Sequence, residues 1–113
     1  MSDSRLKLSE QEVEARLAEA KEWSREDHWI VRKYRFPEFL TGIAFVNEVA
    51  RIAEELNHHP LMAIDYTLVT LRLTTWSSGG LTLLDFACAA RFDKAYLPAF
   101  SNDSSQKLPE LPS

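Results

Sequence analysis

The sequence predicts an α+β fold, a two-layer sandwich in which an antiparallel sheet carries three helices packed on one face. Ser9-Glu10-Gln11-Glu12 and Thr82-Leu83-Leu84-Asp85 each have the spacing of a capping box. In that motif the first side chain accepts from the amide three residues on, and the fourth side chain reaches back. Between the two boxes, stretches rich in β-branched and aromatic residues flank a long apolar run at helical spacing. A sheet with helices on one face buries the apolar stripes of both.

The first helix follows from Ser9, with Leu8 and Val13 spaced as a hydrophobic staple. Val13, Leu17 and Ala20 continue at helical spacing, so the helix covers about residues 9–20 with a solvated acidic outer face. Trp23–Glu26 and Trp29–Phe36 read as two strands turned by Asp27-His28. Pro37 then stands at a first helical position, where no amide donor is needed. Phe39, Ile43, Val46, Ala50 and Ala53 form one stripe, widened by Leu40, Val49 and Leu56, for a long helix over about 37–57. Pro60 disfavours helical geometry at His59 and ends that helix close to His58. Residues 66–75 alternate, with Thr67, Val69, Leu71 and Leu73 as the apolar, helix-facing set. Ser77-Ser78-Gly79-Gly80 reads as a turn, and a last helix covers about 83–95. The order is helix, strand, strand, helix, strand region, helix, of the α-β-β-α-β-β-α type. The sheet face away from the helices is expected to carry Arg32, Tyr34, Tyr66 and Arg72.

A chain of 113 residues fits one domain, expected over 1–97. From Pro98 to Ser113, Ser, Pro, Asn and Asp dominate without periodicity and read as a mobile polar tail. The net charge of −4 argues against direct nucleic-acid binding. No apolar run approaches the ~20 residues that span a bilayer, and the first residues lack the apolar stretch of a signal peptide. A cytoplasmic domain with no membrane partner is expected. A single cysteine, Cys88, forms no intramolecular disulfide and is expected to be an inert buried thiol. Three histidines without metal-ligand spacing give no expectation of a metal or other cofactor.

The densest cluster of chemistry is Glu54, His58, His59 and Pro60. Imidazole is the side chain best suited to exchange protons near neutral pH. Glu54 precedes His58 by one helical turn, so on a helix it can contact and orient that ring. The same residues also suit a plain polar helix end, with His58 bonding the last carbonyls. Trp76 is either a core aromatic at a strand end or a stacking wall for a flat heterocycle. Tyr66 either packs on a neighbouring strand or lines a pocket. Asp85 is accounted for by the cap of the last helix.

Taken together, Glu54-x-x-x-His58-His59-Pro60, then five residues to Tyr66, nine to Trp76 and eight to Asp85, resembles the signature of the pterin-4a-carbinolamine dehydratases. Arg35-Phe36-Pro37-Glu38-Phe39, Leu73-Thr74-Thr75 and Gly79-Gly80-Leu81-Thr82-Leu83-Leu84-Asp85 agree with it. The signature covers residues 54–85, and the similarity in element order extends over about 5–97.

The resemblance implies a dehydratase that converts 4a-hydroxytetrahydrobiopterin, or a related 4a-hydroxytetrahydropterin, to the quinonoid dihydropterin. Such a reaction needs an acid to protonate the leaving hydroxyl and a base for a ring N–H proton, and no cofactor. By the same resemblance His58, His59 and Glu54 are the catalytic residues. His58 leads in acid–base work, Glu54 orients it, and Pro60 fixes the turn. Pro60, Tyr66, Trp76 and Asp85 are implied as substrate-binding positions. Trp76 departs from the best-known members, which place a third histidine there; an indole only donates. Leu61-Met62 likewise replaces the more usual polar-aromatic pair. The resemblance also implies a homodimer or homotetramer. Its alternative is a non-catalytic protein partner role, as dimerisation cofactor of a homeodomain transcription factor or as assembly factor.

Overall fold

Both helix starts form where their spacing places them. In the computed structural model, which describes residues 5–96, α1 spans Glu10–Glu19 and Ser9 and Glu12 exchange both capping-box bonds. The chain continues through β1 (Ser24–Glu26), β2 (Trp29–Arg35), α2 (Phe39–Leu56), β3 (Leu61–Asp65), β4 (Leu68–Leu73) and α3 (Leu83–Tyr96). The strands form one antiparallel sheet in the order β1-β2-β4-β3. A single core cluster joins Val13 of α1, Phe45, Val49 and Ile52 of α2, Cys88, Ala89 and Phe92 of α3, and Val69, Leu71 and Leu73 of β4. The predicted tail at 98–113 lies outside the described residues.

Four expectations need correction. The strand predicted over 66–75 is β4, limited to Leu68–Leu73, and its partner β3, Leu61–Asp65, lies before that region and joins it through the two-residue turn Tyr66-Thr67. Tyr66 takes the left-handed conformation there, φ 55°, the backbone state that short hairpin turns require. The hairpin signal is hidden because a Tyr occupies a position where Gly or Asn is usual. Second, Pro37 stands one residue before the N-cap, Glu38, rather than inside α2.

Third, Tyr34 and Arg32 face the helices. The register Ile30↔Leu73, Arg32↔Leu71 and Tyr34↔Val69 puts them on the face of the apolar set. Tyr34 is 1% exposed and packs on Phe45 and Tyr96. Their polar tips are met by one carboxylate on α3. Asp93 accepts from the Tyr34 hydroxyl at 2.6 Å, from Arg32 at 2.8 Å and from the Trp23 indole at 3.0 Å. Long amphipathic side chains can thus lie under the helices when a half-buried acceptor awaits their ends. Arg72 does lie on the open face, opposite Val31 and Leu61.

Fourth, the second capping box forms only in part. The Asp85 carboxylate accepts from the Thr82 amide at 2.9 Å, but the Thr82 hydroxyl turns to Thr75 at 2.9 Å. That diversion begins the site.

Candidate active site

The site lies where α2 ends, β3 begins, β4 ends and α3 begins. Helix α2 stops at Asn57, a left-handed C-cap with φ 53°. The His58 amide then donates back to the Ala53 carbonyl at 3.0 Å, closing a Schellman-type end. Asn is among the few side-chain-bearing residues that enter this conformation readily. Its effect is to take His58 out of helical phase and turn it inward, leaving it 7% exposed. Pro60 follows at the exit into β3.

The expectation that Glu54 orients His58 is therefore corrected. Glu54 Oε2 meets His59 Nε2 at 2.6 Å, and both groups are exposed. One-turn helical spacing fails because His58 is no longer on the helix.

The partner of His58 is Asp85. Its Oδ1 lies 2.6 Å from His58 Nε2, and Asp85 is fully buried. The other oxygen, Oδ2, accepts from the Thr82 amide at 2.9 Å and the Thr75 hydroxyl at 2.8 Å. Thr75 in turn accepts from Thr82. With every partner a donor, the arrangement assigns a proton to His58 Nε2, since a carboxylate only accepts. His58 Nδ1 has no hydrogen-bond partner among the described residues. Among the described residues Arg32 Nε is the buried side-chain polar atom without a partner. His58 Nδ1 therefore reaches solvent, and it is the edge this ring offers to a ligand.

Trp76 opens a single 3₁₀ turn, Trp76–Ser78, directly after Thr75. It is 77% exposed and stands edge-on to Trp29, ring centroids 5.1 Å apart. The core-aromatic alternative is excluded. Tyr66 is not brought to the histidines within one chain. It caps the far end of the β3–β4 hairpin, five strand residues beyond Pro60, or roughly 17 Å. Asp85 is likewise out of direct reach of a ligand, because its carboxylate is enclosed behind His58.

The roles of Thr75 and Trp29 are not legible in the sequence: Thr75 stands there only as text flanking the signature, in Leu73-Thr74-Thr75, and Trp29 as an ordinary strand aromatic. Cys88 is buried, and burial together with the nearby Asp85 charge pushes its thiol up to about 12. Among the described residues no group of three or more His, Cys, Asp or Glu is gathered as a metal ion requires. No helix among them is long and apolar enough to cross a membrane. Two shallow grooves between α1 and α3, lined in part by Arg16, Glu19 and Leu83, contain none of the predicted site residues.

Fold and site together define a small α+β domain whose helix-end histidine is braced by a buried carboxylate. Residues 6–95 match the family model described as pterin 4 alpha carbinolamine dehydratase. The chain belongs to that family. A candidate pterin-4-alpha-carbinolamine dehydratase of Chloroflexus aurantiacus is 48% identical over 88 residues, 78% of this chain and 95% of that protein. Another, from a Picosynechococcus species, is 42% identical over 88 residues, 78% of this chain and 96% of the relative. A crystal structure described as a transcriptional coactivator/pterin dehydratase from Brucella melitensis superposes with a TM-score of 0.76 at 32% identity, covering 79% of this chain and 97% of that one. A pterin dehydratase-like RuBisCO assembly factor of the α-carboxysome shares the fold at TM-score 0.54 and 23% identity, over 65% of this chain and 84% of that one.

Proposed function

We propose that the protein dehydrates a 4a-hydroxytetrahydropterin, 4a-hydroxytetrahydrobiopterin or a close relative, to the quinonoid dihydropterin. The observation that carries this reading is the His58–Asp85 pair, which engages one imidazole nitrogen, Nε2, and leaves Nδ1 open. In this reading the C4a–O bond breaks as the hydroxyl takes a proton and leaves as water, while a ring N–H proton goes to a base. His58 Nδ1 is the base, and Asp85 holds the opposite N–H and stabilises the imidazolium that forms. His59, exposed and bonded to Glu54, is the acid, since it can be reloaded from solvent. One imidazolium loses a proton and one imidazole gains it, so the pair resets by exchange with water. Positioned groups of this kind contribute about 10²–10⁴-fold. Trp76 serves as a flat wall for the heterocycle in place of a third proton carrier, Pro60 fixes the turn that presents both rings, and Asp85 acts through His58. Tyr66, at the far hairpin end, is the weakest of the implied binding positions.

The decisive experiment is direct. Full-length protein is mixed with freshly generated 4a-hydroxytetrahydropterin, and loss of the hydroxyl is followed. Acceleration over buffer is expected; a rate equal to buffer at micromolar protein rejects the enzyme. His58→Ala is expected to lose most of the acceleration while remaining folded.

A second reading has one observation in its favour. Trp76 replaces a proton-transferring histidine and is largely exposed beside Trp29, which suits a protein-binding member of the family. Homo-oligomer formation belongs to either reading. The edge strand β3 exposes Leu61, Met62 and Ile64, and light scattering distinguishes monomer, dimer and tetramer.

A further inference from the structure

The four residues before α1's cap bind two loops of the site at once. The Arg5 guanidinium donates to the Asn57 carbonyl at 3.2 Å. That carbonyl belongs to the left-handed C-cap immediately before His58. Helix-terminal carbonyls have no partner within the helix and favour a cation. The Arg5 carbonyl, for its part, accepts from the Ser78 hydroxyl in the loop that begins with Trp76. Lys7 forms a β-bridge with Thr82, and the Leu8 amide donates to the Leu81 carbonyl at 2.9 Å. Gly80 permits this approach. A Cβ there would lie 3.1 Å from Lys7 Cε, so the lysine stem rests on the loop.

With Thr82 bonded to Asp85, and Asp85 to His58, the contacts close a ring. It runs from Arg5 to the His58 turn, through Asp85 to Thr82, and back to Lys7. Chain ends are ordered only where something ties them down, and this segment is tied to both loops that flank the histidine. Residues 5–8 lie outside the signature stretch 54–85.

We propose that Arg5–Leu8 is a strap that sets the spacing between the His58 turn and the Trp76 loop, with Arg5 as a positioning residue for the reaction. The proposal rests on the dehydratase reading for its kinetic consequence, and on geometry alone for its structural one. Removing the Arg5 side chain removes no part of the core cluster. It frees the two loops to shift relative to each other, and misplacement by about 1 Å is costly to catalysis.

The test compares Arg5→Ala, Arg5→Lys and Ser78→Ala in the full chain. Steady-state dehydration, Tm, and the NMR signals of the His58 ring and Gly80 amide are measured. Arg5→Ala is expected to lower kcat about five- to twentyfold with Tm within about 2 °C of the parent. Arg5→Lys, which can still donate to the Asn57 carbonyl, is expected to recover at least half of the loss. The Arg5→Ala/Ser78→Ala double variant is expected to be no worse than the poorer single variant, because both cut one strap. An unchanged kcat in Arg5→Ala, or a loss matched by a fall in Tm and not recovered in Arg5→Lys, overturns the proposal. If the parent protein itself is inactive, the dehydratase reading fails and the strap is judged by NMR. Joint movement of the His58 and Gly80 signals in Arg5→Ala upholds it, and movement confined to the neighbours of residue 5 overturns it.

Discussion

His58 Nε2 and Asp85 Oδ1 lie 2.6 Å apart across 27 residues of sequence. Asp85 does two jobs with its two oxygens. Oδ2 holds the Thr82 amide and the Thr75 hydroxyl at the start of α3, while Oδ1 holds the imidazole. Helix cap and site brace are one carboxylate, so the ring's orientation is as rigid as the helix start.

Asp85→Asn tests that division. Two donors converge on Oδ2, so the amide oxygen of Asn occupies that place and its NH₂ faces His58. The ring must then accept at Nε2 and carry its proton on Nδ1, the wrong tautomer for a base. We expect a kcat about 10- to 100-fold lower in a folded protein, measured by steady-state kinetics and circular dichroism. Asp85→Ala leaves buried donors unpaired and is expected to cost roughly 2–4 kcal/mol of stability by urea titration. Parent-like kinetics in Asp85→Asn would remove Asp85 from the mechanism.

Trp76→His restores a proton-carrying ring at an exposed position. Because Trp76 touches Trp29 only at an edge and is 77% exposed, Tm is expected to change by no more than a few degrees. The dehydration rate is expected to rise severalfold. No rise, with unchanged stability, would mean that the indole already serves the site better than an imidazole.

Tyr66 stores backbone strain. A bulky side chain at φ 55° is held in a sparsely populated region at a cost of about 1 kcal/mol or more. Tyr66→Asn, suited to the left-handed region, is expected to raise Tm by a few degrees in a thermal scan. Because Tyr66 stands at the far end of the hairpin, turnover is expected to stay within twofold. A large loss of turnover would show that assembled chains bring Tyr66 to a site.

Alkaline pH is expected to destabilise the fold. Burial, and secondarily the Asp85 charge, raise Cys88 from its ordinary 9.0 to about 12. Burial, then the charge and hydrogen bond of Asp93, raise Tyr34 above its ordinary 10.0. A group whose proton is held more tightly when folded leaves stability intact below its unfolded pKa. Above that value the unfolded chain sheds the proton first, and stability falls as pH rises. Tm should therefore be level near neutrality and decline from about pH 9. Cys88→Ala is expected to delay the onset toward pH 10. A Tm unchanged up to pH 11 would contradict the burial of both groups.

Local pattern made much of this protein readable. Ser9 and Glu12 cap a helix because their bonds span three residues, and Val69, Leu71 and Leu73 share a face because strands alternate. The Glu54–His58–His59–Pro60 cluster is visible as local sequence, and together with Tyr66, Trp76 and Asp85 at their spacings it resembles the family signature, a resemblance the family match over residues 6–95 bears out. Tertiary structure decided the pairings. Asn57 entering the left-handed region sends His58 inward, away from Glu54 and onto Asp85, and no helical spacing rule anticipates a residue that leaves the helix. Arg32 and Tyr34 sit under the helices because Asp93, on a distant helix, receives their polar ends. Arg5 reaches the site only because the chain before α1 folds back over the 76–82 loop. Periodicity reports the face a residue occupies within its own element; which carboxylate meets which donor depends on how separate elements pack.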